Sequence, residues 1–168
     1  MKLNKKGVTL MEIMVVIIVI ALLIAMAYPT YTSALEKARA HEAMQLVSHM
    51  VAAQDRFRGE CYNMVGSQCQ YSDDFTRLPL EIRGANEDTN ITITPAEITT
   101  RAFTYTMDGT GEDTTIIATP RSNSYEYIIS ARVGDTTILC DSLGTDSGKK
   151  ICASLGPTPA SGNIYTIE

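Results

Sequence analysis

Three groups of residues in this sequence have side chains that do chemistry. Glu12 is a single carboxylate inside an apolar run that otherwise extends from Val8 to Tyr28. Four cysteines, Cys61, Cys69, Cys140 and Cys152, fall into two near pairs, and an acidic stretch runs from Asp108 to Asp113. The cysteines form no C-x-x-C, and His41 and His49 lie elsewhere, so zinc-ligand spacing is absent. An even count in two pairs points to two disulfides in an oxidising compartment. Four cysteines permit three pairings, and the local one, Cys61–Cys69 with Cys140–Cys152, is preferred. A cytosolic domain would instead keep free thiols.

Asp108-Gly109-Thr110-Gly111-Glu112-Asp113 offers oxygen ligands on a glycine-hinged turn, which suits calcium. It lacks the EF-hand spacing, so it is read as a hairpin turn and no metal is expected. His41 and His49, eight apart with no third ligand, are read as surface residues. Asn90-Ile91-Thr92 is a glycosylation sequon with no other support. No glycine-rich phosphate loop, H-E-x-x-H, G-x-S-x-G or Ser/His/Asp order is present. The expectation is therefore a protein with no catalytic residue and no cofactor, not an enzyme.

Glu12 remains, and the element around it sets its meaning. Val8–Tyr28 would make roughly 31 Å of helix, close to the hydrocarbon thickness of a bilayer. Lys2, Lys5 and Lys6 precede it and few charges flank its far end. The positive-inside rule then leaves residues 1–7 in the cytoplasm and sends everything after Pro29 outside, where disulfides persist. The formal net charge is -5, and beyond that leader 11 basic residues face 19 acidic ones. Such a balance argues against general nucleic-acid binding, which needs clustered Lys and Arg.

A carboxylate in a membrane costs a few kcal/mol or more. Three fates for the segment give that cost different meanings. A secretory signal peptide cut after Ala27 would release a soluble domain starting at Tyr28, but it does not explain Glu12. A permanent anchor leaves Glu12 equally unexplained. Cleavage after Gly7 creates an α-amino group at Val8, placed on a helix one turn from Glu12 and able to pair with it. Across two chains, that pairing would set the stagger of packed helices.

Here the sequence resembles the N-termini of type IV pilins and pseudopilins, of the short-leader subclass. The residues that carry the resemblance are Lys5-Lys6-Gly7, Val8, Thr9-Leu10-Met11-Glu12, the apolar run Ile13–Ala27, and Pro29 where the family has a helix-kinking proline. The strong match covers residues 1 to about 32. The family usually opens with Phe where this chain has Val8, and many members carry a glycine midway along the helix where this chain has Ala21-Leu22-Leu23. The resemblance implies leader cleavage between Gly7 and Val8, N-methylation of Val8, and assembly registry through Glu12 and Val8. It also implies a prepilin peptidase, an inner-membrane assembly machinery and an exposed C-terminal loop bounded by a disulfide.

The remaining elements must display that helix. From Thr30 to about Arg58, Ala40, Ala43, Met44, Val47, Met50, Val51 and Phe57 recur at helical spacing, with charges at other angles. The spacing predicts one helix of about fifty residues, kinked at Pro29 and stopping at Gly59. Residues 59–90 read as loop. Strands are expected over Ile91–Thr94, Phe103–Met107, Thr114–Thr119, Tyr125–Ala131 and Thr136–Cys140, with Ile164–Ile167 as a last edge strand. Gly156-Pro157-Thr158-Pro159 is expected to resist regular structure. The fold class is α+β: a long kinked helix whose C-terminal half packs on an antiparallel sheet.

The expected organisation is a leader over 1–7, a transmembrane and filament-core helix over 8–29, and an extracytoplasmic domain over 30–168. The expected function is a subunit of a helical homopolymer, held in the inner membrane before assembly and found in an extracellular pilus afterwards. A minor pilin or a secretion pseudopilin is the alternative within the class. A secreted binding domain cut after Ala27 is the alternative outside it.

Overall fold

A computed structural model describes residues 9–65, 69–80, 82, 91–109, 111–156 and 158–167. Its elements are helix α1 (Leu10–Val65), strands β1 (Thr92–Ile93), β2 (Glu97–Thr99), β3 (Phe103–Asp108), β4 (Thr115–Pro120), β5 (Ile128–Arg132) and β6 (Ile138–Asp141), helix α2 (Asp146–Leu155), and strands β7 (Thr158–Ser161) and β8 (Ile164–Ile167). The chain divides into two compact units, Met1–Glu36 and Lys37–Glu168. The described part of the first unit is almost entirely helix.

In the second unit the sheet has the order β1-β2-β3-β4-β5-β6-β8-β7, antiparallel throughout. Period-two alternation sends one residue set to a single face. Ile98, Tyr105, Ala118, Ile129 and Cys140 are cross-strand partners in one row. Met107, Ile116, Ala131, Ile138 and Ile167 form the next row. Ala40, Ala43, Val47, Met50 and Ala53 of α1 are fully buried and share one core with these rows. The alanines remove bulk along the stripe, and Val47 and Met50 supply about 1.5–3 kcal/mol each on burial. Phe103 sits 6.1 Å from both Tyr105 and Tyr127, ring centre to ring centre. Burial, aided by the Glu42 carboxylate, pushes the Tyr105 phenol well above its ordinary range.

One polar residue is sealed inside this interface. Gln54 is fully buried, and its amide pairs with the backbone of Ser72 like a strand partner. Gln54 Nε2 donates to Ser72 O at 2.7 Å, and the Ser72 N–H donates to Gln54 Oε1 at 2.9 Å. This clamps the chain after α1 onto the helix. Gln54→Leu keeps the volume and strands both Ser72 groups, so stability should fall by about 2–4 kcal/mol. Denaturant unfolding of the detergent-solubilised protein, with Gln45→Leu as the exposed control, measures it.

Several elements differ from the sequence-based expectation. Helix α1 runs past Gly59 to Val65. A helical glycine costs only about 1 kcal/mol, and Phe57 and the Cys61–Cys69 bridge hold the residues around it. Part of the expected 59–90 loop is ordered as a 3-10 turn, Phe75–Arg77, with Phe75 buried and Asp74 as its cap. The Thr76 hydroxyl and N–H hold the Asp74 carboxyl below its usual range. Strand β2 was unexpected; it pairs with β1 across the turn at Pro95-Ala96. Strand β5 begins at Ile128, not Tyr125.

The segment expected as an exposed loop between Cys140 and Cys152 contains most of α2. Thr145 caps this helix, its Oγ1 accepting the Gly148 N–H at 3.1 Å. Gly148 packs so closely that a Cβ would lie 2.3 Å from Glu126 O. Strand β7 forms despite Pro159, because it is an edge, where a missing N–H is tolerated. Strand β8 is therefore interior, between β6 and β7.

Candidate assembly segment

The site begins at Thr9. The Glu12 N–H donates to Thr9 O at 3.1 Å and to Thr9 Oγ1 at 3.3 Å, and the Ile13 N–H donates to Thr9 O at 3.3 Å. Thr9 therefore caps α1, and Thr9-x-x-Glu12 has the spacing of a capping box. The helix needs this because its first four N–H groups have no intrahelical partner. A carboxylate in the first turn also meets the positive end of the helix dipole. Glu12 is exposed at that turn. Reading Thr9 only as a motif letter missed this role, although threonine three residues before glutamate is the signal for it. Gly7 and Val8, the expected cleavage and methylation residues, lie outside the described residues, as does Asn90.

Beyond Glu12 comes an apolar sleeve. Leu10 to Met26 expose every large apolar side chain, from 47% at Val16 to 79% at Leu10. The segment has a mean hydropathy of 3.0 over its best window and is long and apolar enough to cross a membrane. Leaving that surface in water would cost on the order of tens of kcal/mol, so it belongs in lipid or against other apolar helices. Pro29 lies inside α1. It cannot donate to the Ala25 carbonyl, and the Thr32 hydroxyl donates to Pro29 O at 3.1 Å. Tyr28 and Tyr31, on either side, are each 65% exposed.

The cysteines lie apart from this segment in sequence. Cys61 is bonded to Cys69 and Cys140 to Cys152, with Cα separations of 5.8 and 5.5 Å. The first bridge ties the end of α1 to the chain leading to Ser72. The second joins β6 to α2 inside the core. Among the described residues no cluster of three metal-ligating side chains occurs. Asp113 of the acidic turn instead bonds Arg132.

A capped helix with one first-turn carboxylate and an apolar sleeve long enough to cross a membrane, followed by a helix-on-sheet unit, defines a class of helix-and-sheet proteins. Residues 2–28 match the model of the prokaryotic N-terminal methylation motif, the leader signature of type IV pilins and pseudopilins. No curated protein and no solved structure matched the chain. The motif and the helix-on-sheet fold suggest a structural protein; the apolar helix fits an N-terminal membrane anchor, and the motif implies processing of the kind a prepilin peptidase performs.

Proposed function

We propose that this chain is the structural subunit of a helical filament of the type IV pilus kind. The leader is removed after Gly7, and Val8 becomes the methylated N-terminus. The chain waits in the inner membrane, with residues 8–29 as its span, and then moves laterally into the fibre. There, residues 13–27 form the core and the domain from residue 30 faces outward. Glu12 of one subunit pairs with the Val8 amine of the next and sets the axial register.

The observation that carries this reading is the combination of a fully exposed apolar sleeve with one carboxylate at its capped end. A lipid bilayer satisfies the sleeve and leaves the carboxylate costly. A bundle of copies, each ending in a fresh cation, satisfies both. N-terminal sequencing and intact mass of protein sheared from cells test it. The expected chain starts at Val8 and carries a methyl group. A chain starting at Tyr28 would make the protein a secreted domain, and one starting at Met1 a permanent anchor.

A further inference from the structure

We infer that the Cys61–Cys69 bridge is a site of thiol–disulfide exchange with a dithiol-bearing partner, and that opening it releases the end of α1 beyond Gly59. The inference stands apart from the filament reading and concerns the second unit alone. The two bridges differ in what surrounds them. Cys140 and Cys152 are fully buried, so no solute reaches their bridge without opening the core. Cys61 and Cys69 are half-buried, and both line a cavity of about 320 Å³ with Phe57, Tyr71, Asp73 and Arg77. Asp73 and Arg77 are exposed, so the cavity opens to solvent. One carboxylate and one guanidinium meet an incoming thiolate there, so access rather than charge separates the two bridges.

The exchange balances between chain and partner. A partner thiolate attacks one sulfur of the bridge, a new S–S bond forms, and the other cysteine leaves as a thiolate that takes up a proton. The partner's second thiolate attacks this mixed disulfide and frees the first cysteine, which is protonated in turn. The partner ends as a disulfide, having given up two electrons and two protons, and the two cysteines have gained them. Run backwards, the same steps close the bridge in the folded protein.

Gly59 decides what the opening releases. It is exposed within α1, and a Cβ there would meet nothing within 4 Å, so no packing requires glycine. In a helix interior it weakens the helix relative to alanine. Residues 60–65 follow it, tied through Cys61 to Cys69. Past Cys69 the chain has anchors of its own. The Tyr71 hydroxyl accepts from Arg58 Nη1 at 3.0 Å and donates to Asp55 Oδ1 at 3.2 Å, and Ser72 pairs with Gln54. Reduction therefore leaves the segment from Tyr71 onward docked and frees the helix end.

The test treats the detergent-solubilised full chain, without denaturant, with dithiothreitol, followed by an alkylating quench and mass spectrometry of each cysteine. Cys61 and Cys69 should be labelled at least about tenfold faster than Cys140 and Cys152, at a rate proportional to the dithiol concentration. After that selective reduction, hydrogen exchange of the amides of residues 60–65 should quicken at least about tenfold, and Gly59→Ala should reverse part of the change. Thioredoxin whose second active-site cysteine is replaced by serine cannot resolve its mixed disulfide, and it should be trapped on Cys61 or Cys69 alone. Equal labelling of the two pairs, a rate independent of the dithiol, or no trapped adduct overturns the exchange site. Unchanged exchange over residues 60–65, or a change that Gly59→Ala does not touch, overturns the release. None of these outcomes bears on the filament reading.

Discussion

Glu12→Ala will leave the chain in the membrane and strip the cell of filaments. Alanine removes a costly charge from the span, so insertion is not harmed. In the proposed fibre it leaves the Val8 amine of the next chain buried without its anion. Breaking a buried pair by deleting one partner costs about 3–5 kcal/mol. Repeated at every subunit, that penalty lowers surface filaments by at least about tenfold. Immunoblots of the membrane fraction and of sheared material measure the two quantities separately.

Glu12 also sits in the first turn with its N–H on Thr9, so alanine alone confounds pairing with capping. Glu12→Gln separates them. Glutamine keeps the capping-box geometry and loses the charge, so it should assemble as poorly as alanine. Normal filaments from the glutamine variant would sink the charge-pairing mechanism and leave Glu12 a helix cap.

The second large effect is on stability. Cys140→Ala with Cys152→Ala opens a bridge spanning 12 residues, both ends of which are fully buried. The chain-entropy relation gives about 3 kcal/mol for a loop of that size, and the lost sulfur contacts add to it. For a unit of this size the melting temperature should drop by roughly 10 °C. Thermal melts of the solubilised protein without reductant measure it, since reductant would also open Cys61–Cys69. A shift of less than about 2 °C would mean that the core alone holds α2 against β6.

The buried stripe of α1 was legible because Ala40, Ala43, Val47 and Met50 repeat at helical spacing with no competing pattern. Strands β3 and β4 were legible because aromatic and β-branched residues alternate between clear turns. Helix α2 was not. The exposed loop expected there came from the family resemblance, and Gly144 and Gly148 dilute the helical pattern that the Thr145 cap opens. Gly148 is there because a backbone carbonyl lies against it, a tertiary reason that no local window contains. The Gln54–Ser72 pairing was hidden in the same way, since its partners lie 18 residues apart. In the candidate site, Glu12 stood out by its chemistry and Thr9 did not, although one hydrogen-bonded turn joins them.

The borders of the sheet set a limit on how copies of this chain join. One border is β1, two residues long; the other is β7, where Pro159 removes a backbone donor. Short strands and proline are devices that block the growth of a sheet from one molecule into another. A polymer of this chain is therefore not a cross-β ladder. In the proposed fibre, copies would be held by side chains and oily rods rather than by shared backbone hydrogen bonds, so each subunit keeps its own closed sheet.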